Sequence, residues 1–253
     1  MTYDVLLTDI GTDQLSVTLA VMNSIQQILP LAVVDVNEAR DWLTHLPVLL
    51  RRGISEQDAR ELQQRYEQLG STIDIIPSTL FFPKNAQGIT RWRNELFSEH
   101  LLALHERSLS DWAKDDHIAE AYRFSFIPTY GTDLTLRLWQ ADDVIHAIAR
   151  RSIGHIGAMP GPPAQAIDWH PTHEQWQEVK EAMKTYRFWE SKSWDTVPDG
   201  YTILASNHWV MEGIRGKRYK VLVDQTPNEG AAREVGLLML NLLPDEFLMP
   251  YVE

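Results

Sequence analysis

Between Ala121 and Ile153 the chain passes through three β-rich runs, AYRFSFIPTY, TLRLWQA and VIHAIARRSI, with a Gly-Thr-Asp turn at 131–133 between the first two. Runs this dense in β-branched and aromatic residues, joined by connections too short for a crossover helix, pair antiparallel. Two more such runs follow in HWVMEGIRGKRYKVLVDQ, folded back at Arg215-Gly216-Lys217, a tight-turn signal. Helical patterns accompany them. Thr172 opens a helix with Gln175 three residues on, and Trp176, Val179, Met183 and Phe188 follow near helical spacing. A last helix over about 229–243 carries Leu237, Leu238, Met239, Leu240 and Leu242 and is apolar on most sides, as a helix buried against a sheet is. The intervening GHIGAMPGPPAQAIDWHP reads as a long loop. The expectation for 116–253 is an antiparallel sheet with packed helices, which makes the chain α+β.

The N-terminal part has a different texture. YDVLLTDI reads as a strand, and Gly11-Thr12-Asp13 gives a turn that caps a helix from Gln14 to about Ile28. Asn37 to Leu46 reads as a second helix, stopped by Pro47. Ser55 and Asp58 mark the start of a third, with Ala59, Leu62, Tyr66 and Leu69 at helical spacing and Gly70 placed to end it. STIDIIP then returns as a strand, so the expected order is β, α, α, α, β. Pro77 to Pro83 reads as extended, and Asn85 to Arg107 as a helix with Ile89, Trp92, Leu96, Leu101 and Leu104 on its apolar side. The expected organisation is therefore a first domain over 1–76, a connector and helix over 77–115, and a second domain over 116–253.

The run NEARDWLTHLPVLLRRGISEQDARELQQRYEQLGSTIDI carries Glu-Ala-Arg, Pro47, Gly53-Ile54-Ser55, Asp58-Ala59 and Leu69-Gly70 in a fixed order, after YDVLLTDIG. In these features residues 3–75 resemble the C-terminal domain of the bacterial ribosomal stalk protein. That resemblance implies a βααβ-type domain whose first helix offers a basic and apolar face to translation GTPases. Here the two basic positions of that face fall on Leu19 and Met22, only Arg40 keeps a positive charge, and no lysine precedes Lys84. The chain also carries an apolar insertion, ILPLAVVDV, at 28–36. Val17, Ala20 and Val21 match the family's buried face, while Leu15, Leu19 and Met22 share another. That second stripe is either a partner site, with Arg40 beside it, or is covered by the insertion or the second domain. In the second domain, Phe188-Trp189 and the run EGIRGKRY from Glu212 to Tyr219 resemble uncharacterised bacterial domains, and no activity comes with the likeness.

Charge and chemistry narrow the function further. The net charge is −12, with 5 basic and 11 acidic residues in 1–76 and 18 and 24 beyond. An acidic surface repels phosphate backbones and anionic lipid, so neither nucleic acid nor membrane is an expected partner. The start MTYDVLLTDIG lacks a basic leader region, no run approaches a spanning helix, and cysteine is absent, which together suit a cytoplasmic protein. His170 and His173 beside Asp168 lack a nameable third ligand, and there is no Gly-x-Ser-x-Gly elbow, phosphate loop or dinucleotide fingerprint. No catalytic residue, metal or cofactor is expected. Trp169, Trp176, Trp189, Trp194 and Trp209 are read as core rather than as a ligand pocket. Glu212 with Arg215, Lys217, Arg218 and Lys220 makes a basic hairpin, either solvated or a second surface for an acidic protein. The reading is a non-enzymatic protein-binding adaptor or regulator using the stalk-like helical face. The alternatives are an immunity-type protein that neutralises a toxin and a ligand-binding or hydrolytic second domain. A ribosomal role ranks last, because the basic positions and an N-terminal dimerisation segment are missing. Oligomeric state is left open.

Overall fold

The computed structural model describes residues 1–28, 34–84, 86, 89–114, 117–156, 159–192 and 207–247. The chain opens with β1 (Tyr3–Asp9), α1 (Gln14–Ile28), α2 (Val36–Trp42), β2 (Val48–Ile54), α3 (Glu56–Glu67) and β3 (Thr72–Pro77). β1 lies between β2 and β3, antiparallel to both. Val5, Leu7, Val48, Leu50 and Ile73 from the strands meet Val17, Val21 and Ile25 of α1, Ala39 and Trp42 of α2, and Ala59 and Tyr66 of α3 in one core. The start of α3 falls at the Ser55 cap expected of it, while α2 begins at Val36, behind a cap that lies within the apolar insertion. Asp35 closes a capping box with Glu38, and Ser55 Oγ accepts from the Asp58 N–H at 3.1 Å. Gly11 is required by contact, because a Cβ there would sit 2.1 Å from the Gly70 carbonyl oxygen, and Gly70 by its positive φ.

Strand β2 is a departure from the three successive helices expected. Val48-Leu49-Leu50 is too short an apolar run for its period to separate helix from strand, and its pairing with β1 decides the matter.

Beyond β3 come α4 (Arg91–Ala103), α5 (Leu109–Trp112), β4 (Ile118–Ile127), β5 (Leu134–Ala141), β6 (Val144–Ser152), β7 (His155–Ile156), β8 (Met159–Pro160), β9 (Pro163–Trp169), α6 (His173–Thr185), β10 (His208–Arg215), β11 (Arg218–Gln225) and α7 (Ala231–Leu240). Six strands form one antiparallel sheet in the order β11-β10-β4-β5-β6-β9. The expected long loop at 154–171 instead holds the small β7-β8 ladder and the edge strand β9. Pro163 is tolerated there because it is the strand's first residue. α6 and α7 cover one face, where Tyr122, Phe124, Leu136 and Leu138 pack with Trp176, Val179, Val235 and Met239. The other face carries Ile127, Val210, Val221 and Val223 under Phe81, Phe82, Phe97 and Leu101, and Ala121 and Ile214 under Leu109 of α5. On α4, Trp92 is 51% exposed, so it lies off the apolar side assigned to it.

With both faces covered, the central strands are buried throughout, and the second face buries charge. Arg123 of β4 stands opposite Glu212 on β10 and opposite Arg137 on β5. Two neighbouring guanidinium groups would repel, but Glu106, from the segment after α4, reaches under them. Its Oε2 accepts from Arg137 at 2.8 Å and Arg123 at 3.2 Å, and its Oε1 from Arg150 at 2.8 Å and Thr135 at 3.2 Å. Arg123 also pairs with Glu212, whose other oxygen accepts from the Tyr219 hydroxyl at 2.8 Å. Burial alone would push the Glu106 carboxyl up, yet Arg137, Arg123 and Arg150 together hold it below the ordinary carboxylate range.

Removing that charge leaves buried guanidinium groups uncompensated. Glu106→Gln is expected to cost about 3–5 kcal/mol, read as a lower urea midpoint at neutral pH. Because the folded carboxyl titrates below the unfolded one, its contribution is full above about 4.3 and is lost as pH falls through the depressed folded value. The acid limb of stability against pH should therefore be shallower in Glu106→Gln than in the native chain.

Candidate functional site

Helix α1 starts beside Asp13, whose Oδ1 accepts from the Ser16 N–H at 3.1 Å. Val17, Ala20 and Val21 turn into the core as the sequence requires, joined by Ile25 and by Ser24, whose hydroxyl meets the Tyr66 hydroxyl at 3.2 Å. The opposite face is open. Leu15 is 59% and Leu19 47% exposed, and Asn23, Gln26 and Gln27 are exposed beyond them. Met22, expected on the same stripe, is half-buried and leans on the core. Arg40 is exposed on α2. No charged side chain occurs between Gln14 and Ile28, so the helix itself carries no charge after the capping Asp13. Of the insertion, Val34 is buried, while 29–33 lie outside the described residues. Among the described residues nothing covers Leu15 or Leu19.

The basic hairpin is built around an indole. The Arg215 and Arg218 guanidinium groups each stand 4.8 Å from the Trp189 ring centroid, and Arg218 donates to the Trp189 carbonyl at 2.9 Å. Gly213 is needed for close approach, since a Cβ there would lie 2.9 Å from Phe188 Cε1 and 3.3 Å from Trp189 Cη2. Glu212 and Tyr219 belong to the buried ion network. Thus the Phe-Trp pair and the Glu212 to Tyr219 run are held together by packing. Lys217 is exposed at the turn. Trp176 and Trp209 are core residues, Trp169 is half-buried, and Trp194 lies outside the described residues.

The histidines singled out by sequence are apart in function. His170 Nδ1 meets the Ile145 carbonyl at 2.9 Å, and His173 meets Gln177 at 3.2 Å. A different group converges where spacing gave no signal. His100 of α4, Asp133 just before β5 and His155 of β7 come together in the interior, the two imidazoles contacting opposite oxygens of one carboxylate. Burial would raise the Asp133 carboxyl, but His100 and His155 hold it down to about 2. Burial would likewise depress His100, and Asp133 and Glu99 raise it above the ordinary imidazole value. These residues have the donor set of a metal site.

Against curated proteins, part of the chain is similar to a ribosomal protein class. The large ribosomal subunit protein bL12 of Nitratiruptor sp. is 27% identical over 73 residues, 29% of this chain and 52% of that protein. The bL12 of Caldanaerobacter subterraneus subsp. tengcongensis is 23% identical over 73 residues, 29% of this chain and 53% of the other. The bL12c of Tupiella akineta is 31% identical over 75 residues, 30% of this chain and 54% of the other. The chain spans about half the length of the curated relatives it matches, and the likeness is that of a segment. No family model and no solved structure matches the chain. No described helix is long and apolar enough to cross a membrane.

If the hairpin motif is packing, adding one methyl group inside it should be costly. Gly213→Ala is expected to lose about 1–3 kcal/mol of stability and to shift tryptophan emission as Phe188 and Trp189 are displaced. Denaturation followed by fluorescence checks both.

Proposed function

We propose that this protein is a non-enzymatic adaptor or regulator that docks another protein through the exposed face of α1. The observation that carries this reading is the pair Leu15 and Leu19, open on a helix whose other face is fully buried. Isolated exposed leucines are ordinary, but two on one helical face, followed by the uncharged Asn23, Gln26 and Gln27, make a coherent surface. The partial similarity to bL12 supports a protein-interaction role for this part of the chain.

The chemistry of the face selects its partner. A neutral apolar helix gains nothing from an acidic surface and fits an apolar groove or a second amphipathic helix. Contacts of that kind survive high salt, because ions screen charge and not burial.

The test compares the tagged full-length chain with a Leu15→Ser, Leu19→Ser variant in capture from native lysate. Both side chains are largely solvent-exposed, so the variant should melt with the native protein to within about 0.5 kcal/mol of stability. The expected result is one partner retained at ~1 M salt by the native chain and lost by the variant. Equal capture by both, or a partner released by salt, would move the interaction away from α1.

A further inference from the structure

We propose that His100, Asp133 and His155 bind one divalent transition-metal ion of the zinc class, as a structural ion between α4 and the six-stranded sheet. The three ligands are two imidazole nitrogens and one carboxylate, which can bind through both oxygens to complete four contacts, a set that suits zinc and its neighbours and not the all-oxygen cations. His100 Nδ1 lies 2.8 Å from one Asp133 oxygen and His155 Nε2 lies 2.9 Å from the other. All three ligand atoms lie within 4.8 Å of one another. Metal bonds of about 2.0–2.2 Å place such ligands ~3–4 Å apart, so the two imidazole–carboxylate contacts open and the widest separation closes, each by about 1 Å or less, for the groups to share an ion.

The surroundings hold these groups in place. Side-chain exposure is 6% for His100, 0% for Asp133 and 2% for His155. Asp133 is fixed from behind, its N–H donating to Ser152 Oγ at 2.8 Å and its carbonyl accepting from the Ser152 N–H at 2.9 Å. The carboxylate is thereby aimed at α4 and β7 before any ion arrives, which lowers the ordering cost of binding. A buried carboxylate with two imidazoles is also short of positive charge unless protons or a cation supply it, and a dication supplies it to both oxygens at once. The three ligands come from three separate elements, so an ion would pin α4 to the β4-β5 turn and to β7. We assign no reaction to it, since the ligands are closed from solvent.

The experiment uses the full-length protein, stripped with a chelator and dialysed at neutral pH, then titrated with Co²⁺ and Zn²⁺. The expected result is one equivalent of Co²⁺ giving visible d–d absorption, displaced by Zn²⁺, with Zn²⁺ raising the melting temperature. Asp133→Asn and His155→Gln should each weaken binding at least tenfold, and His173→Gln, an exposed histidine, should leave it unchanged. Should Asp133→Asn fail to fold, the native titration and His155→Gln decide the question. Absence of saturable binding by the native chain below about 100 μM of either ion would overturn the proposal. So would native affinity in His155→Gln. Either outcome would leave the three residues as a hydrogen-bonded ion pair that shares protons only.

Discussion

The carboxylate of Glu106 carries three arginines that belong to three adjacent strands, and the second half of the molecule is organised around it. Arg123 and Arg137 face each other across the β4-β5 ladder, a pairing that would repel if left alone, and Arg150 approaches from β6. Taking these charges out of water costs several kcal/mol for each ion, so the sheet can bury them only if a counter-charge is built in with good geometry. The segment after α4 brings it, and with it the carbonyls of His105 and Arg107, which accept from Arg150 and Arg123. The network therefore fixes where the chain leaves α4. A purely apolar interface would have allowed α4 to slide; directional bonds to three strands do not.

From that anchor the two sheets are held in relation to each other. α4 packs on β8 and on β2, where Arg52 donates to the Glu95 carbonyl and reaches the Asp4 carboxylate at 3.8 Å. Met159 of β8 enters the N-terminal core directly. The proposed ion would act at the same junction, since one of its ligands is on α4 and another on β7, adjoining β8. A molecule built this way has little need of a mobile linker between its parts. Its junction is a packed and hydrogen-bonded surface.

The proposed docking face lies on the N-terminal part, away from this junction. There the loss of the basic positions expected of a stalk-like helix changes the physics of recognition and not only its strength. A charged face attracts partners from a distance and is weakened by salt, whereas Leu15 and Leu19 act only on contact and through burial. The rest of α1 is uncharged as well, so the contact itself is one of burial.

The first domain was legible in its sequence because its signals are local. The cap at Ser55, the turn glycines Gly11 and Gly70, and the buried spacing of Val17, Ala20 and Val21 each depend on neighbours a few residues away. The β4-β5-β6 meander and the β10-β11 hairpin were legible for the same reason, alternation closed by short turns. Strand β2 and edge strand β9 were not, since a short apolar run and a proline-rich one become strands only when a partner strand lies beside them. Whether Leu19 was exposed and Met22 half-buried also depended on packing, because the helical period places them on one stripe and only the neighbouring core separates them. The Glu106 network and the His100, Asp133 and His155 group left no trace in spacing. Glu106 lies 17 to 44 residues from the side chains it accepts from, and Asp133 33 and 22 residues from its two histidines; they meet because the sheet's register and the path of α4 bring them together, so proximity that only the tertiary structure creates decided their chemistry.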